Sequence, residues 1–250
     1  MADESTHSGK PERPRRAIET PRHSVLRWVV EFAIYLVVAI LVLSLVRVFL
    51  VQPFRVPTGS MEQTVEIGDT IVAWRPGEPE RGMIVVFRDD LGWLTPGEPA
   101  PMWKRVLSWV KILPNQDDQF LVKRLIGLPG DHVSCCDTQG RLSVNGQALD
   151  EPYLYYATAS VAQRHFDVVV PSGHIFVMGD HRDRSADSRY WMCSSSAYPF
   201  PSLEAIQGKA VAIMRPLSRA QWFDIPPTFA AVPEPTGTPP SPDHVTGTCT

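Results

Sequence analysis

Three short runs in this chain combine residue types that can do chemistry. The first is Pro57-Thr58-Gly59-Ser60-Met61. A serine in a tight turn beside glycine can present its hydroxyl and its own N–H together, which suits a nucleophile that also donates to an oxyanion. Alone, such a pair is an ordinary turn. The second run is Leu121-Val122-Lys123-Arg124-Leu125-Ile126-Gly127-Leu128-Pro129-Gly130-Asp131. On a strand, Leu121, Lys123 and Leu125 share one face and Arg124 points to the other. A lysine flanked by buried leucines is costly while charged, and burial lowers its ordinary pKa of about 10.4 by roughly 3 to 5 units in documented cases. The neutral amine that results is what a general base must be. The plainer reading is a stem lying on the leucines with its head in water. The third run is Gly179-Asp180-His181-Arg182-Asp183-Arg184-Ser185-Ala186-Asp187-Ser188-Arg189, leaving the apolar stretch His174–Met178 as a polar loop. Its density of Asp, Arg and Ser predicts a hydrogen-bonded network, with Asp187 pairing Arg189, and His181 reads as a loop residue rather than a second base.

These runs need elements to hold them. Trp28 to Val46 is a 19-residue apolar stretch with one charge, Glu31, in its first turn. At 1.5 Å per residue it reaches about 28 Å, close to the thickness of a bilayer core. Lys10, Arg13, Arg15, Arg16, Arg22 and Arg27 precede it, which predicts a cytoplasmic N-terminus. No small-x-small cleavage pattern follows, and the stretch is too long for a cleavable signal. Beyond Val51 the chain reads as mostly β. Thr70–Trp74, Met83–Phe87, Phe120–Ile126, Phe166–Val170, His174–Met178 and Lys209–Met214 are strand candidates. Leu142-Ser143-Val144 followed by Asn145-Gly146 predicts a hairpin with a type I′ turn. Asp89 to Asp118 is a Pro- and Trp-rich insert with a short helix around Met102 to Ile112. The insert's Trp, Lys and Arg suit either a membrane interface or the domain's own core.

The expected architecture is therefore mainly β. One N-terminal transmembrane helix precedes a β-rich domain with an inserted loop and short helix. Residues 1–27 form a disordered tail, 28–50 the anchor, 51–225 the domain with its insert at about 89–118, and 226–250 a disordered Pro/Thr-rich tail. With a net charge of -3, nothing suggests a nucleic-acid binder, which normally shows a basic stripe. Cys135, Cys136, Cys193 and Cys249 lack zinc spacing, so no metal or other cofactor is expected. An exported domain has room for one disulfide among them, and the sequence leaves the pairing open.

Taken together, PTGSMEQT at 57–64, KRLIGLPGD at 123–131 and GDHRDRSADSR at 179–189 resemble bacterial type I signal peptidases, in order, spacing and membrane anchor. The resemblance runs from residue 25 to 216 and looks most like actinobacterial members. It implies a β-rich Ser/Lys endopeptidase that cuts signal peptides from exported preproteins after a small-x-small motif, through an acyl-enzyme. Ser60 would be the nucleophile and Lys123 the general base. The Ser60 N–H and the Thr58 hydroxyl would form the oxyanion hole. Ser185 would orient the lysine, supported by Asp187, Arg189, Asp180, Arg182 and Arg124. Phe54, Val56, Pro57, Met61, Val65, Leu121 and Val122 align with residues lining shallow substrate pockets, and the substrate would pair as a strand along an exposed edge. Signal peptides, the lipid bilayer and the secretion translocon are the implied partners. The implied place is the plasma membrane, single-pass, with the catalytic domain outside. This chain departs from many members at Gln63, where they have Pro, at His181, where they have Asn, and after Trp191.

Independently of that pattern, Ser60 lies 13 residues past Arg47. At no more than about 3.3 to 3.6 Å per residue it cannot stray far from the membrane surface. Soluble self-cleaving Ser/Lys repressors carry a DNA-binding domain and no such span. Endoplasmic-reticulum signal peptidases have His at the lysine position. The remaining alternative is a membrane-tethered binding module of this fold without activity, which would be expected to have lost Ser60 or Lys123.

Overall fold

The computed structural model describes residues 22–94, 119–155, 165–194, 198–243 and 247–249. Helix α1 is Arg22–Phe49. Within it Val25–Leu45 is long and apolar enough to cross a membrane. A helix apolar on all sides suits lipid rather than water. Glu31, the one charge inside the apolar stretch, pairs with Arg27 one turn earlier at 3.2 Å.

Residues 45–250 form a second compact unit, and it is β-rich as expected. One antiparallel sheet runs β1 (Val51–Arg55), β2 (Thr70–Trp74), β10 (Ile206–Arg215), β3 (Ile84–Arg88), β4 (Phe120–Gly127) and β9 (Phe176–Met178). Strand β11 (Gln221–Trp222) pairs beside β10. The second sheet runs β12 (Gly247–Cys249), β8 (Phe166–Val169), β5 (His132–Cys135), β6 (Leu142–Val144) and β7 (Gln147–Ala148). Ile71 and Ala73 alternate inward on β2, the period-2 pattern of a sheet with one face on the core. Strand β4 is buried on both faces after Phe120, because β3 and β9 flank it and apolar clusters cover it above and below. Asn145 and Gly146 adopt φ of 50° and 80° and join β6 to β7, the expected type I′ hairpin.

Strand β1 escaped the sequence reading because Pro53 interrupts it. Among the described residues it pairs only with β2, with Pro53 opposite Val72, so an edge position tolerates the missing N–H. The expected strand at His174–Met178 shortens to Phe176–Met178, with His174 reduced to a single bridge to Ser202. Of the insert, residues 89–94 pack inward. Asp89 accepts from the N–H groups of Leu91, Trp93 and Leu94, and Trp93 is 7% exposed against Phe87 and Trp191. The predicted helix at 102–112 and the N-terminal tail up to residue 21 lie outside the described residues.

The C-terminal expectation is corrected. Residues 226–243 follow a defined path, and 247–249 form β12. Phe229 and Val232 enter the apolar cluster of the second sheet with Val133, Leu142 and Phe176. Arg81 bridges Asp131 at 2.7 Å and Glu234 at 3.1 Å, and Asn145 Nδ2 donates to the Pro233 carbonyl at 2.8 Å. Pro-rich segments lose less entropy on ordering, so a few apolar anchors suffice to lay this one down as a strap. Its end is tied by a Cys193–Cys249 disulfide to helix α2 (Ser188–Ser194). A second bridge joins Cys135 to Cys136, where a single disulfide was expected. Phe229→Ala is expected to lower unfolding free energy by about 3 kcal/mol in urea titration, the cost of emptying a buried aromatic site; a change within about 0.5 kcal/mol would fit a detached tail.

Candidate active site

Ser60 sits in a turn that rises from β1 and is folded back on itself. Glu62 N donates to the Gly59 carbonyl at 3.2 Å, and Thr64 N and Val65 N to the Met61 carbonyl at 3.1 and 2.7 Å. Met61 and Val65, at 1% and 0% exposure, root the turn in the apolar cluster with Phe54, Val56 and Val122. Ser60 itself is 6% exposed, whereas Thr58 and Pro57 are exposed. Gly59 lies outside the left-handed region, so its freedom of φ is not what the turn uses. A Cβ there would fall 2.4 Å from Glu62 Oε1, so a side chain at this position would displace the Glu62 carboxylate. Gln63 does adopt a left-handed φ of 79°, which a proline ring could not follow.

Lys123 lies mid-strand in β4, opposite Val85 of β3, and is 2% exposed. Leu121, Leu125 and Val85 belong to one apolar cluster, so the expected buried leucine face is present. Burial pushes the lysine pKa down to about 8, despite the attraction of Asp187 and Asp180, while Arg189 adds to the lowering. On its other side β4 pairs with β9, Arg124 opposite Met178. Lys123 is coupled electrostatically to Asp187 and Asp180 of the polar loop that follows β9.

Gly179 is where the three runs meet. A Cβ on it would lie 2.3 Å from Ser185 Oγ and 2.4 Å from the Ser60 carbonyl oxygen. Its N–H donates to Asp187 Oδ2 at 3.0 Å, and its carbonyl accepts from Arg182 Nε at 3.1 Å. Ser185 Oγ is buried with no hydrogen-bond partner among the described residues. Sequence reasoning placed Gly179 inside a motif without giving it a role; a glycine between a strand end and a polar loop was the available signal.

The charged residues around Gly179 are paired and buried. Arg124 holds Asp180 through Nε at 2.8 Å and Nη2 at 2.6 Å, and its guanidinium lies 3.8 Å over the Tyr153 ring. Asp187 binds Arg189 at 3.0 Å. Burial alone would raise the Asp187 pKa, but Arg189, Lys123 and the Gly179 N–H together hold it below the usual carboxylate range. Arg182 pairs with Glu151, and Arg189 Nη2 donates to the Arg182 carbonyl at 2.8 Å. Sequence reasoning missed Glu151, Tyr153, Thr64 and Glu62, all partners across long separations. Thr64 Oγ1 donates to Asp180 Oδ2 at 2.6 Å. His181 lies in the loop after β9, and there it is 3% exposed, bonded to Glu62 at 2.7 Å and stacked on Tyr155.

Among the residues aligned with substrate pockets, Phe54, Leu121 and Val122 are 6%, 7% and 9% exposed. Val56, Met61 and Val65 lie at 2% or less and form the packed floor of the serine turn. Among the described residues no group of His, Cys, Asp and Glu could hold a metal ion.

The family model described as signal peptidase, peptidase S26, matches residues 26–215. Signal peptidase I of Mycobacterium tuberculosis is 34% identical over 241 residues, covering 85% of this chain and 79% of the relative. A probable signal peptidase I of Mycobacterium leprae is 33% identical over 209 residues, covering 72% and 68%. A probable signal peptidase I-2 of Synechocystis is 34% identical over 188 residues, covering 74% and 72%. The chain belongs to the signal peptidase family, peptidase S26, whose members are serine endopeptidases. With α1, that membership makes it a membrane-anchored protein.

Gly179→Ala is expected to destabilise the domain by about 1 to 3 kcal/mol, because its methyl meets a backbone carbonyl that cannot swing aside. Chemical denaturation checks this, and a neutral result would mean that the turn and loop are not in contact.

Proposed function

We propose that this chain removes signal peptides from exported preproteins, with Ser60 as nucleophile and Lys123 as general base. The observation that carries the reading is an amine 2% exposed, with its pKa brought down to about 8, coupled to the Asp187 carboxylate that binds the N–H of the glycine against which Ser60 packs. A substantial neutral fraction near pH 7 to 8 can accept a hydroxyl proton.

In the first step Ser60 Oγ attacks the scissile carbonyl carbon while Lys123 Nζ takes its proton. The Ser60 N–H and the Thr58 hydroxyl receive the negative oxygen. The Lys123 ammonium then protonates the departing amine, which is the new N-terminus of the mature protein, leaving the signal peptide as an ester on Ser60. Lys123, neutral again, takes a proton from water as it attacks the ester carbonyl, and returns that proton to Ser60 Oγ when the signal peptide leaves as its acid. Ser185, whose buried hydroxyl has no hydrogen-bond partner among the described residues, would orient the amine. The substrate would approach as a strand along β4: its ladder with β9 ends at Arg124, which leaves Leu121 and Val122 without a strand on that side among the described residues. Leu121 and Val122 would then sit beneath small substrate side chains.

An extracytoplasmic domain on a plasma-membrane anchor is the companion proposal. The Cys193–Cys249 bridge supports an oxidising side of the membrane, and the basic residues before α1 support a cytoplasmic N-terminus. Ile67, Met214, Leu217 and Trp222 are exposed, and Arg55 and Arg215 line the same groove as Ile67 and Leu217, a composition that supports lipid contact.

The test is cleavage of a preprotein by the detergent-solubilised chain. Ser60→Ala and Lys123→Ala are each expected to abolish it. Lys123→Arg is expected to be inactive too, because a guanidinium stays charged; an active Lys123→Arg protein sinks the general-base role. The kcat/KM of the native chain should rise with pH as Lys123 loses its proton, half-maximal near 8 rather than 10.5. Thr58→Val is expected to cut turnover by about 10²- to 10³-fold with Thr58→Ser near native, as for other single oxyanion donors. Full turnover in Thr58→Val would move the second donor elsewhere.

A further inference from the structure

His181 and Glu62 stand 119 residues apart in sequence, and the fold brings them into contact beside Ser60. The backbone N–H of His181 donates to the Ser60 carbonyl at 3.1 Å. Its ring Nδ1 lies 2.7 Å from Glu62 Oε2. That same carboxylate covers Gly59 so closely that a Cβ there would overlap Oε1 at 2.4 Å. The peptide that follows Ser60 and the residue that precedes it thus touch opposite ends of one hydrogen-bonded side-chain pair. His181 N–H fixes the peptide that follows the serine. Glu62, held by the His181 ring, lies against the residue whose peptide supplies the Ser60 N–H.

The imidazole has little freedom. It is 3% exposed, stacks on Tyr155 with centroids 4.1 Å apart, and places Nε2 3.3 Å from Asp183 Oδ1. Exposed Arg184 stands 3.7 Å from Glu62 on the outer side. The turn is pinned again two residues on, by Thr64 to Asp180. Gln63, between those two pins, carries the left-handed φ and a buried Oε1 without a described partner, so the turn holds a conformation it would not choose unaided.

We propose that Glu62 and His181 act as a positioning clamp that sets the orientation of the Ser60 turn for attack. The inference rests on Ser60 being the nucleophile. Neither side chain takes part in proton transfer; both act through the backbone on either side of the serine. A clamp of this kind lowers turnover when released and leaves substrate binding in place, since a misplacement of about 1 Å costs on the order of 10²-fold in rate.

The experiment measures kcat, KM and thermal midpoint for the full chain in detergent micelles with a preprotein substrate. The variants are Glu62→Ala, Glu62→Gln, His181→Ala and the double Ala variant, with Ser60→Ala as control. Glu62→Ala and His181→Ala should each lower kcat by about 10- to 100-fold with KM within about two-fold. Glu62→Gln, which keeps an acceptor for the His181 ring, should recover most of the loss. The double variant should be no slower than the worse single one, the signature of one shared interaction. Independent, additive losses overturn the clamp, as does a KM effect at unchanged kcat. A loss that tracks the thermal midpoint and that Glu62→Gln fails to rescue also overturns it. An active Ser60→Ala protein would instead overturn the nucleophile assignment on which the clamp rests, so the two failures are distinguishable.

Discussion

An amine removed from water must lose its charge or find compensation, and the arrangement around β4 follows from how Lys123 meets that constraint. Its side chain shares the apolar face of Leu121, Leu125 and Val85, and carboxylates stand close enough to attract it without cancelling the desolvation. The folded chain therefore binds that proton less tightly than the unfolded chain does. Below pH 8 the lysine costs folding about 3 kcal/mol, and this cost fades as pH rises from 8 toward 10.5. A site that holds such a group needs stability from elsewhere. The enclosed pairs of Arg124 with Asp180 and Arg189 with Asp187 do not supply much of it, since buried ion pairs gain little net energy. They fix geometry, and the apolar clusters of the two sheets carry the stability.

The fold has a division of labour that this balance explains. Strand β4 delivers the lysine from within a sheet, where Leu121 and Leu125 on the same face are buried. The serine comes from a turn, whose backbone can approach Gly179 closely enough that no side chain fits between. The polar loop after β9 joins the two. It contributes Ser185, holds the serine turn through His181 and Asp180, and ends in α2, which the Cys193–Cys249 bridge fastens to the C-terminal strap. The strap thus reaches the region of the site through covalent and apolar contacts, although it contributes no residue to it.

How much of this was legible in the sequence depended on the range of the interaction concerned. Local features were readable: the alternation in Thr70–Trp74, the Asn145-Gly146 turn, the leucines two residues either side of Lys123. The three motif runs were readable because their residue types are unusual together. Contacts fixed only by the tertiary fold were not. Glu62 and His181 carry no spacing signal, and His181 looked like one more polar residue in a polar loop. Pro53 hid β1 because the rule against proline in strands lapses at a sheet edge. The run after Pro226 looked disordered because its composition is polar and Pro-rich, and composition does not register two well-placed apolar residues, Phe229 and Val232.

The central claim is that the protein interior keeps the Lys123 amine substantially neutral near physiological pH. The most direct measurement is a proton titration of that amine by NMR, following the side-chain ε-carbon of labelled lysine in the full chain in micelles. The Lys123 signal is identified by its loss in Lys123→Met. A midpoint near 8, well separated from the other lysines, is the result this account requires. A midpoint at the ordinary 10.5 would mean that the amine reaches water and that its burial does not make it a base.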